Sequence, residues 1–440
     1  MPHIPSKSRC LSLLLIAALT ASSAACQRHP KSPKPGIPTV KTSYALELSN
    51  LNAMAEGGQR MLKQHPNDLY IAQDVVSTFL ERARLTGNYA DYGLASNALA
   101  EASQIGGKLL YPCLLAAKLN YTQHRLKQAE EELGHCPSIT DGDAIAAMHA
   151  DIAFYSGRYA EAEAIYRSAL NDKPSVSGYT RMAAVRRYTG APGEAMALLV
   201  AAEQINYTEE PVLKAWLKLQ RGLVAYDQGD LSLASALFYA ANQALPGWWL
   251  ADEQLAEIKV LMGEPDEARK LYEGVIARSG LPEHMDELAR LLRNGSDPAS
   301  ANVWIQKAEA IYRERLKSYP EASAGHAVDH FLQFGTPAEA LALARRNVEL
   351  RPYGDAKIAL AEALFRAGQA GEAATTIAEV EASGWNTAKL HAIAAQIYAG
   401  MGQSAKADAE RQTALGLNRY AMRLFPLPQS VQPELLSLLQ

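Results

Sequence analysis

The chain has 440 residues, of which 48% are hydrophobic and 20% charged, and its formal net charge is −4. With 43 basic against 47 acidic residues it lacks the basic excess that phosphate neutralisation requires, which argues against a nucleic-acid partner. An ordinary chain of this length would divide into two or three domains; internal repetition replaces that expectation with one elongated body.

Residues 1–25 have the layout of an export signal. Lys7 and Arg9 give a positive start, 11–19 an apolar run, and Ser23-Ala24-Ala25 a small-residue cleavage site. The apolar run is too short for a membrane span, which needs about 20 residues. Cys26 follows the cut. The arrangement resembles a bacterial lipoprotein signal, with Ser23 standing where that family favours Leu. The resemblance implies an acylated Cys26 and, because Gln27 rather than Asp comes next, a periplasmic body tethered to the outer membrane. Plain secretion with a free Cys26 uses the same cleavage and stays open. Loss of Lys7 and Arg9 would take the formal charge from −4 to −6. Residues 26–42 are rich in Pro and Lys without periodicity. They read as a polar tether reaching roughly 45 Å, at about 3.1 Å per residue.

From Ser43 a helical pattern begins, with Pro66 closing the first stretch. The unit of the remaining chain is clearest at 148–174, MHADIAFYSGRYAEAEAIYRSALNDKP. It gives two amphipathic runs, 148–156 and 159–170, separated by Gly157 and stopped by Pro174. Small Ala150 and Ala162 fall where two antiparallel helices touch, and Tyr166 and Leu170 where the pair must cover a neighbour. The turn glycine recurs as Gly157, Gly190, Gly229, Gly263, Gly295, Gly335, Gly368 and Gly402, in steps of 33, 39, 34, 32, 40, 33 and 34 residues. Five residues on comes Ala162, Ala195, Ala234, Ala268, Ala340, Ala373 or Ala407, and a second small or β-branched residue follows seven later, as at Ala169, Ala202 and Val275. Weaker copies at Gly87-Asn88-Tyr89 and Ala129 extend the pattern toward the N-terminus.

A period near 34 with this pattern resembles the tetratricopeptide repeat (TPR). The resemblance implies an all-α fold, a TPR-like α-solenoid of about nine or ten antiparallel helix pairs over residues 43–418. A long second helix near 298–318 and an inserted connection at 203–212 account for the steps of 40 and 39. Residues 419–440 lose the pattern and read as a segment capping the open end, with a partner-binding tail as the alternative. In the repeat frame Cys113 lies early in a first helix and Cys136 near the end of the helix that returns beside it. A disulfide between them suits an oxidising compartment, and two buried thiols are the other reading.

Signatures of catalysis are missing. There is no HExxH pair, no GxxxxGK[ST] loop and no GxSxG elbow, so neither an enzyme nor a cofactor is expected. The one metal-like constellation is GHAVDHFLQFG at 325–335, where His326 and His330 share a helix face beside Asp329. Two ligands and a carboxylate need a third residue from elsewhere, and packing histidines are the commoner case.

In TPR proteins the first helix of each pair lines a concave surface that takes an extended or helical peptide. By position that lining comprises Lys118, Tyr121, Asp151, Phe154, Tyr155, Arg187, Tyr188, Trp216, Tyr226 and Asp227. Rings interspersed with charge suit peptide recognition, although each ring could equally fill a gap between hairpins. Trp248-Trp249 are read first as core or capping rings, with a further exposed contact as the alternative if one enters the core and its neighbour points away. The expected function is therefore an envelope scaffold holding protein or peptide partners, membrane-bound through Cys26. A binding protein for a cell-wall glycan, and a metal-dependent enzyme at His326, Asp329 and His330, are the rival readings.

Overall fold

The computed structural model describes residues 42–426, Glu209 and Ser296 excepted. The export signal, Cys26, the tether up to residue 41 and residues 427–440 lie outside the described residues.

Among the described residues there are 22 helices and no strand. Helix α1 (Tyr44–Gln64) starts where Ser43 caps it, its side chain accepting from the Leu46 amide. Five hairpins follow: α2 (Leu69–Thr86) with α3 (Ala90–Gly106), α4 (Cys113–Thr122) with α5 (Leu126–Gly134), α6 (Gly142–Tyr155) with α7 (Tyr159–Asp172), α8 (Val176–Tyr188) with α9 (Pro192–Ile205), and α10 (Pro211–Asp227) with α11 (Leu231–Ala244). Five more complete the array: α12 (Trp249–Met262) with α13 (Pro265–Ser279), α14 (Pro282–Asn294) with α15 (Pro298–Ser318), α16 (Pro320–Phe334) with α17 (Pro337–Leu350), α18 (Gly354–Arg366) with α19 (Ala370–Ala382), and α20 (Ala388–Gly400) with α21 (Ser404–Leu417). The short α22 (Ala421–Leu424) ends it. The fold is a TPR-like α-solenoid.

Second helices bury one stripe only, such as Ala195, Leu199 and Ala202 on α9 or Ala268, Tyr272 and Val275 on α13. That stripe is the alanine pattern of the sequence, with Ala169 the exposed exception. First helices of the second half are buried nearly all round, so they lie inside and the second helices outside. Several turn glycines take the left-handed conformation that side chains resist; Gly157 has φ of 77° and Gly190 of 80°. Two do not. Gly295 and Gly335 have φ of −92° and −95°, because the following helices start from side-chain caps at Asp297 and Thr336. In the second hairpin His124, with φ of 64°, stands where a turn glycine was not found, five residues before Ala129. The step of 39 comes mainly from α10, which has 17 residues where α8 has 13, and only partly from the connection before it.

One register organises the molecule. The turn inside a first-half hairpin touches the start of the sixth hairpin further on. The turn at Gly87 faces Leu281 before α14, where a β-carbon would lie 2.9 Å from Leu281 Cδ1. One hairpin earlier, the Tyr44 amide at the start of the unpaired α1 donates to the Pro246 carbonyl at 3.0 Å, and Trp249 Nε1 donates to Leu85 O at 3.2 Å. His124 stacks on His326 with ring centroids 5.9 Å apart. The Gly354 amide donates to Tyr159 Oη at 2.7 Å, the Asn386 amide to Tyr188 O at 2.8 Å, and Asn418 Nδ2 to Tyr226 O at 3.0 Å. The superhelix thus completes a turn in six hairpins and lies directly on its own next turn. The contact explains the glycines again: a β-carbon at Gly157 would sit 2.9 Å from the Pro352 carbonyl oxygen, and one at Gly190 2.5 Å from Asn386 Nδ2. At Gly263, Gly368 and Gly402, in the second half, a β-carbon would meet nothing within 4 Å. At the far end Leu424 and Phe425 are buried and Gln396 Nε2 donates to Phe425 O, so the first residues after the repeats cover the last hairpin.

Cys113 opens α4 and Cys136 follows α5; the two are joined by a disulfide with Cα atoms 5.2 Å apart. Closing a loop of 23 residues should add about 3 kcal/mol to the local stability of this short hairpin. Cys113→Ala with Cys136→Ala is expected to lose that amount in hydrogen exchange of the α4 and α5 amides, leaving α18 to α21 unchanged.

A cleft on the inner face between α8 and α10

Where α8 and α10 run side by side, a spacing of three to four residues aims one row from each helix at the other. Thr180 and Arg187 on α8 face Trp216, Gln220 and Val224 on α10, and Leu199 of α9 forms part of the lining. The cleft has a volume of about 410 Å³ counted out to its open mouth. Leu199 and Val224 are buried and supply an apolar floor. Along its wall Trp216 and Gln220 carry two buried donors, Nε1 and Nε2, with no hydrogen-bond acceptor among the described residues. An unmade buried hydrogen bond costs about 1–3 kcal/mol, so the cleft favours an acceptor. Arg187, a donor only, cannot be that acceptor. Its Nε donates to Asp227 Oδ2 at 2.6 Å; burial disfavours its charge, but Asp227 more than restores it and holds its pKa above the usual value.

Three of the ten residues expected on the concave surface, Arg187, Tyr188 and Trp216, line this cleft. Most of the others do something different. Tyr121, Phe154, Tyr155, Tyr188 and Tyr226 are buried, because first helices of the first half end at the contact between superhelical turns. Tyr155 meets Tyr353 edge-on at 5.2 Å, and Tyr188 lies flat on Trp385 at 4.5 Å with 13° between the planes. Phe154 packs on Trp385 at 6.1 Å. They hold turn to turn, and apart from Tyr188, which also borders the cleft, they offer no accessible groove. Asp151, also buried, takes both Nε and Nη2 of Arg181, at 2.7 and 2.8 Å, and the Tyr166 hydroxyl at 2.7 Å. Lys118 is half-buried; burial and then Arg84 lower its pKa, and Asp227 is taken up by Arg187. Trp248 and Trp249 are both buried, so neither is the exposed contact the pair offered. The residue missed from sequence is Gln220, whose spacing of four from Trp216 on α10 was the available signal.

The histidine pair of α16 divides between two carboxylates. His330 Nδ1 meets Asp286 Oδ1 at 2.8 Å, while His326 Nδ1 lies 3.4 Å from Glu283 Oε1. Among the described residues His326, Asp329 and His330 do not bring their ligand atoms together as one group. Burial lowers the pKa of His326 to about 4, with Glu283 opposing and Arg351 and Arg315 reinforcing, and burial likewise lowers His284 to about 4. The two histidines of α16 thus each pack beside a different carboxylate of α14.

No protein-family profile matches this chain, and no curated protein does. Among solved structures, it resembles a chain of the Cut9–Hcn1 hetero-tetramer of APC/C, with 16% identity, 90% of this chain and 83% of that one covered, and TM-score 0.40. It resembles MamA over 38% of this chain and 96% of that one, at 18% identity and TM-score 0.32. The human IFIT1 dimer solved with m7Gppp-AAAA matches over 83% and 94%, at 12% identity and TM-score 0.41. At these scores the likenesses carry no functional weight, and the fold assignment rests on the hairpin register.

Proposed function

We propose that the chain is a repeat scaffold of the bacterial cell envelope that holds a protein or peptide partner at the inner-face cleft between α8 and α10. The observation carrying this reading is the pair of buried, acceptor-less donors, Trp216 Nε1 and Gln220 Nε2, over an apolar floor. A backbone carbonyl or carboxylate of an extended peptide supplies what they lack, and its side chains cover the floor. Export and anchoring through Cys26 rest on the sequence of residues 1–26. The Cys113–Cys136 bridge is consistent with them, since such bonds persist in oxidising compartments. No helix among the described residues is long and apolar enough to cross a membrane. The glycan reading loses most of its stacking surface, because Tyr121, Tyr155, Tyr188 and Tyr226 are buried, and retains Trp216 in the cleft.

A photo-crosslinking amino acid at Gln220 in living cells should capture a discrete envelope protein. The same probe at exposed Glu267 on α13 should not. Trp216→Phe, which removes the N–H and keeps a ring, should weaken binding of the captured partner roughly three- to tenfold. Equal capture at both positions, or an unchanged affinity in Trp216→Phe, would count against the cleft.

A further inference from the structure

At the C-terminal end of the solenoid three consecutive helices bring Glu381 (α19), His391 (α20) and Glu410 (α21) together, with one ligand atom from each inside a 4.8 Å group. His391 Nε2 is 2.9 Å from Asn386 Oδ1, an acceptor, so Nε2 carries a proton. In the neutral ring that leaves the lone pair on Nδ1, which lies 2.6 Å from Glu410 Oε2. The lone pair of a neutral ring repels a carboxylate at that distance, and either a second ring proton or a metal ion relieves the repulsion. Glu381 adds a second carboxylate: its Oε1 is buried without a hydrogen-bond partner among the described residues. Burial and then the Glu410 charge raise its pKa, while His391 and Lys406 oppose. The corresponding junction of α11, α12 and α13 resolves its charge differently. There Asp252 receives Asn242 Nδ2 at 2.6 Å and Arg278 Nη2 at 2.5 Å, and no metal is called for.

We propose that Glu381, His391 and Glu410 form a binding site for one divalent cation of the zinc class, ligated by His391 Nδ1 and one oxygen of each carboxylate. An imidazole and two carboxylates match the borderline donors that zinc takes, and three protein ligands leave a fourth position for water. Ligand atoms on tetrahedral zinc stand about 3.3 Å apart at bond lengths of about 2.0 Å, so Glu381 closes inward from the last turn of α19. Asn386 then serves as the outer partner that fixes the ring tautomer. Its own amide donates to Tyr188 O across the contact between superhelical turns, and Thr189 and Asn386 form a bridge there. The ion therefore fastens the last hairpin and steadies the contact between turns.

The test uses intact purified protein, stripped with a chelator and titrated calorimetrically with zinc chloride. One saturable equivalent is expected, with hydrogen exchange in α19 to α21 slowed on binding. Glu381→Gln, which preserves size, should weaken binding on the order of tenfold or more, and His391→Ala should abolish it. His149→Ala, which removes a half-exposed histidine paired with Glu130 elsewhere, should leave it unchanged. No saturable binding, or binding equal to wild type in Glu381→Gln, would overturn the site.

Discussion

Trp385→Ala should separate the two superhelical turns. Trp385 is 1% exposed and sits where Tyr188, Phe154, Tyr159 and Tyr353 converge, with ring centroids 4.5 to 6.2 Å away. Gly354 owes its identity to the same ring, since a β-carbon there would lie 2.2 Å from Trp385 Cδ2. Removing a buried Trp costs about 3–5 kcal/mol. Because Trp385 is seated between turns, that loss should fall on the turn-to-turn contact while the hairpins persist through nearest-neighbour packing. Exchange of the Asn386 amide, which donates to Tyr188 O, should accelerate on the order of a hundredfold or more, since about 1.4 kcal/mol is a factor of ten. Helical circular dichroism should change little. Trp304→Ala, on the outer helix α15 and only half-buried, should leave that amide protected.

Acid should loosen the same contact from another place. His284 and His326 titrate near 4 in the folded chain and His124 also lies well below its ordinary value, in each case first because of burial. Arg351 and His326 press further on His124, and Arg315 opposes a proton on both others. The unfolded chain takes up these protons through about 6.5, so between 6.5 and 4 it binds more than the folded chain and stability falls as the pH is lowered. For His284 and His326 the loss is roughly 3 kcal/mol each. Asp286, raised to about 6 by burial against the opposing His330, runs the other way and offsets about one of them. Glu283, held below its ordinary range with Arg315 and His326 outweighing burial, stabilises at neutral pH and adds its loss below about 4.5. Denaturation at stepped pH should therefore show a net loss of at least about 3 kcal/mol from pH 6.5 to 4, with His124 adding to it in the same direction. A His124→Gln, His326→Gln variant should flatten that slope; an unaltered slope would exclude the pair as its source.

Much of the fold was legible because a solenoid repeats its local physics. The Gly157 turn, the Ala162 contact and the length of α15 are each set within one hairpin, and the sequence shows them directly. His124 was not legible: a non-glycine at a left-handed turn breaks the pattern while keeping the backbone. The contact between turns was harder still, because it joins residues nearly 200 apart and has no period of its own. Its trace lay in an asymmetry between halves. Tyr121, Tyr155, Tyr188 and Tyr226 end the first helices of the first half, whereas Met262, Asn294, Phe334, Arg366 and Gly400 stand at the corresponding ends in the second. Pro352-Tyr353-Gly354 and Gly384-Trp385-Asn386 precede or begin helices opposite the first set. Rings read as a peptide-binding surface were thus half of an internal contact. Of the cleft, Arg187, Tyr188 and Trp216 were visible as inner-face positions, but the unmade bonds of Trp216 and Gln220 depend on what fails to approach them, which spacing cannot reveal.

The long-range contacts require the superhelix to lie on its own next turn. Nitroxide labels carried on keto amino acids at exposed Arg158 and Glu349 would flank the Gly157–Pro352 contact. A pulsed electron-spin distance measurement should give a single narrow, short distance that persists on dilution. A broad distribution reaching to a full open superhelical pitch would contradict the closed register.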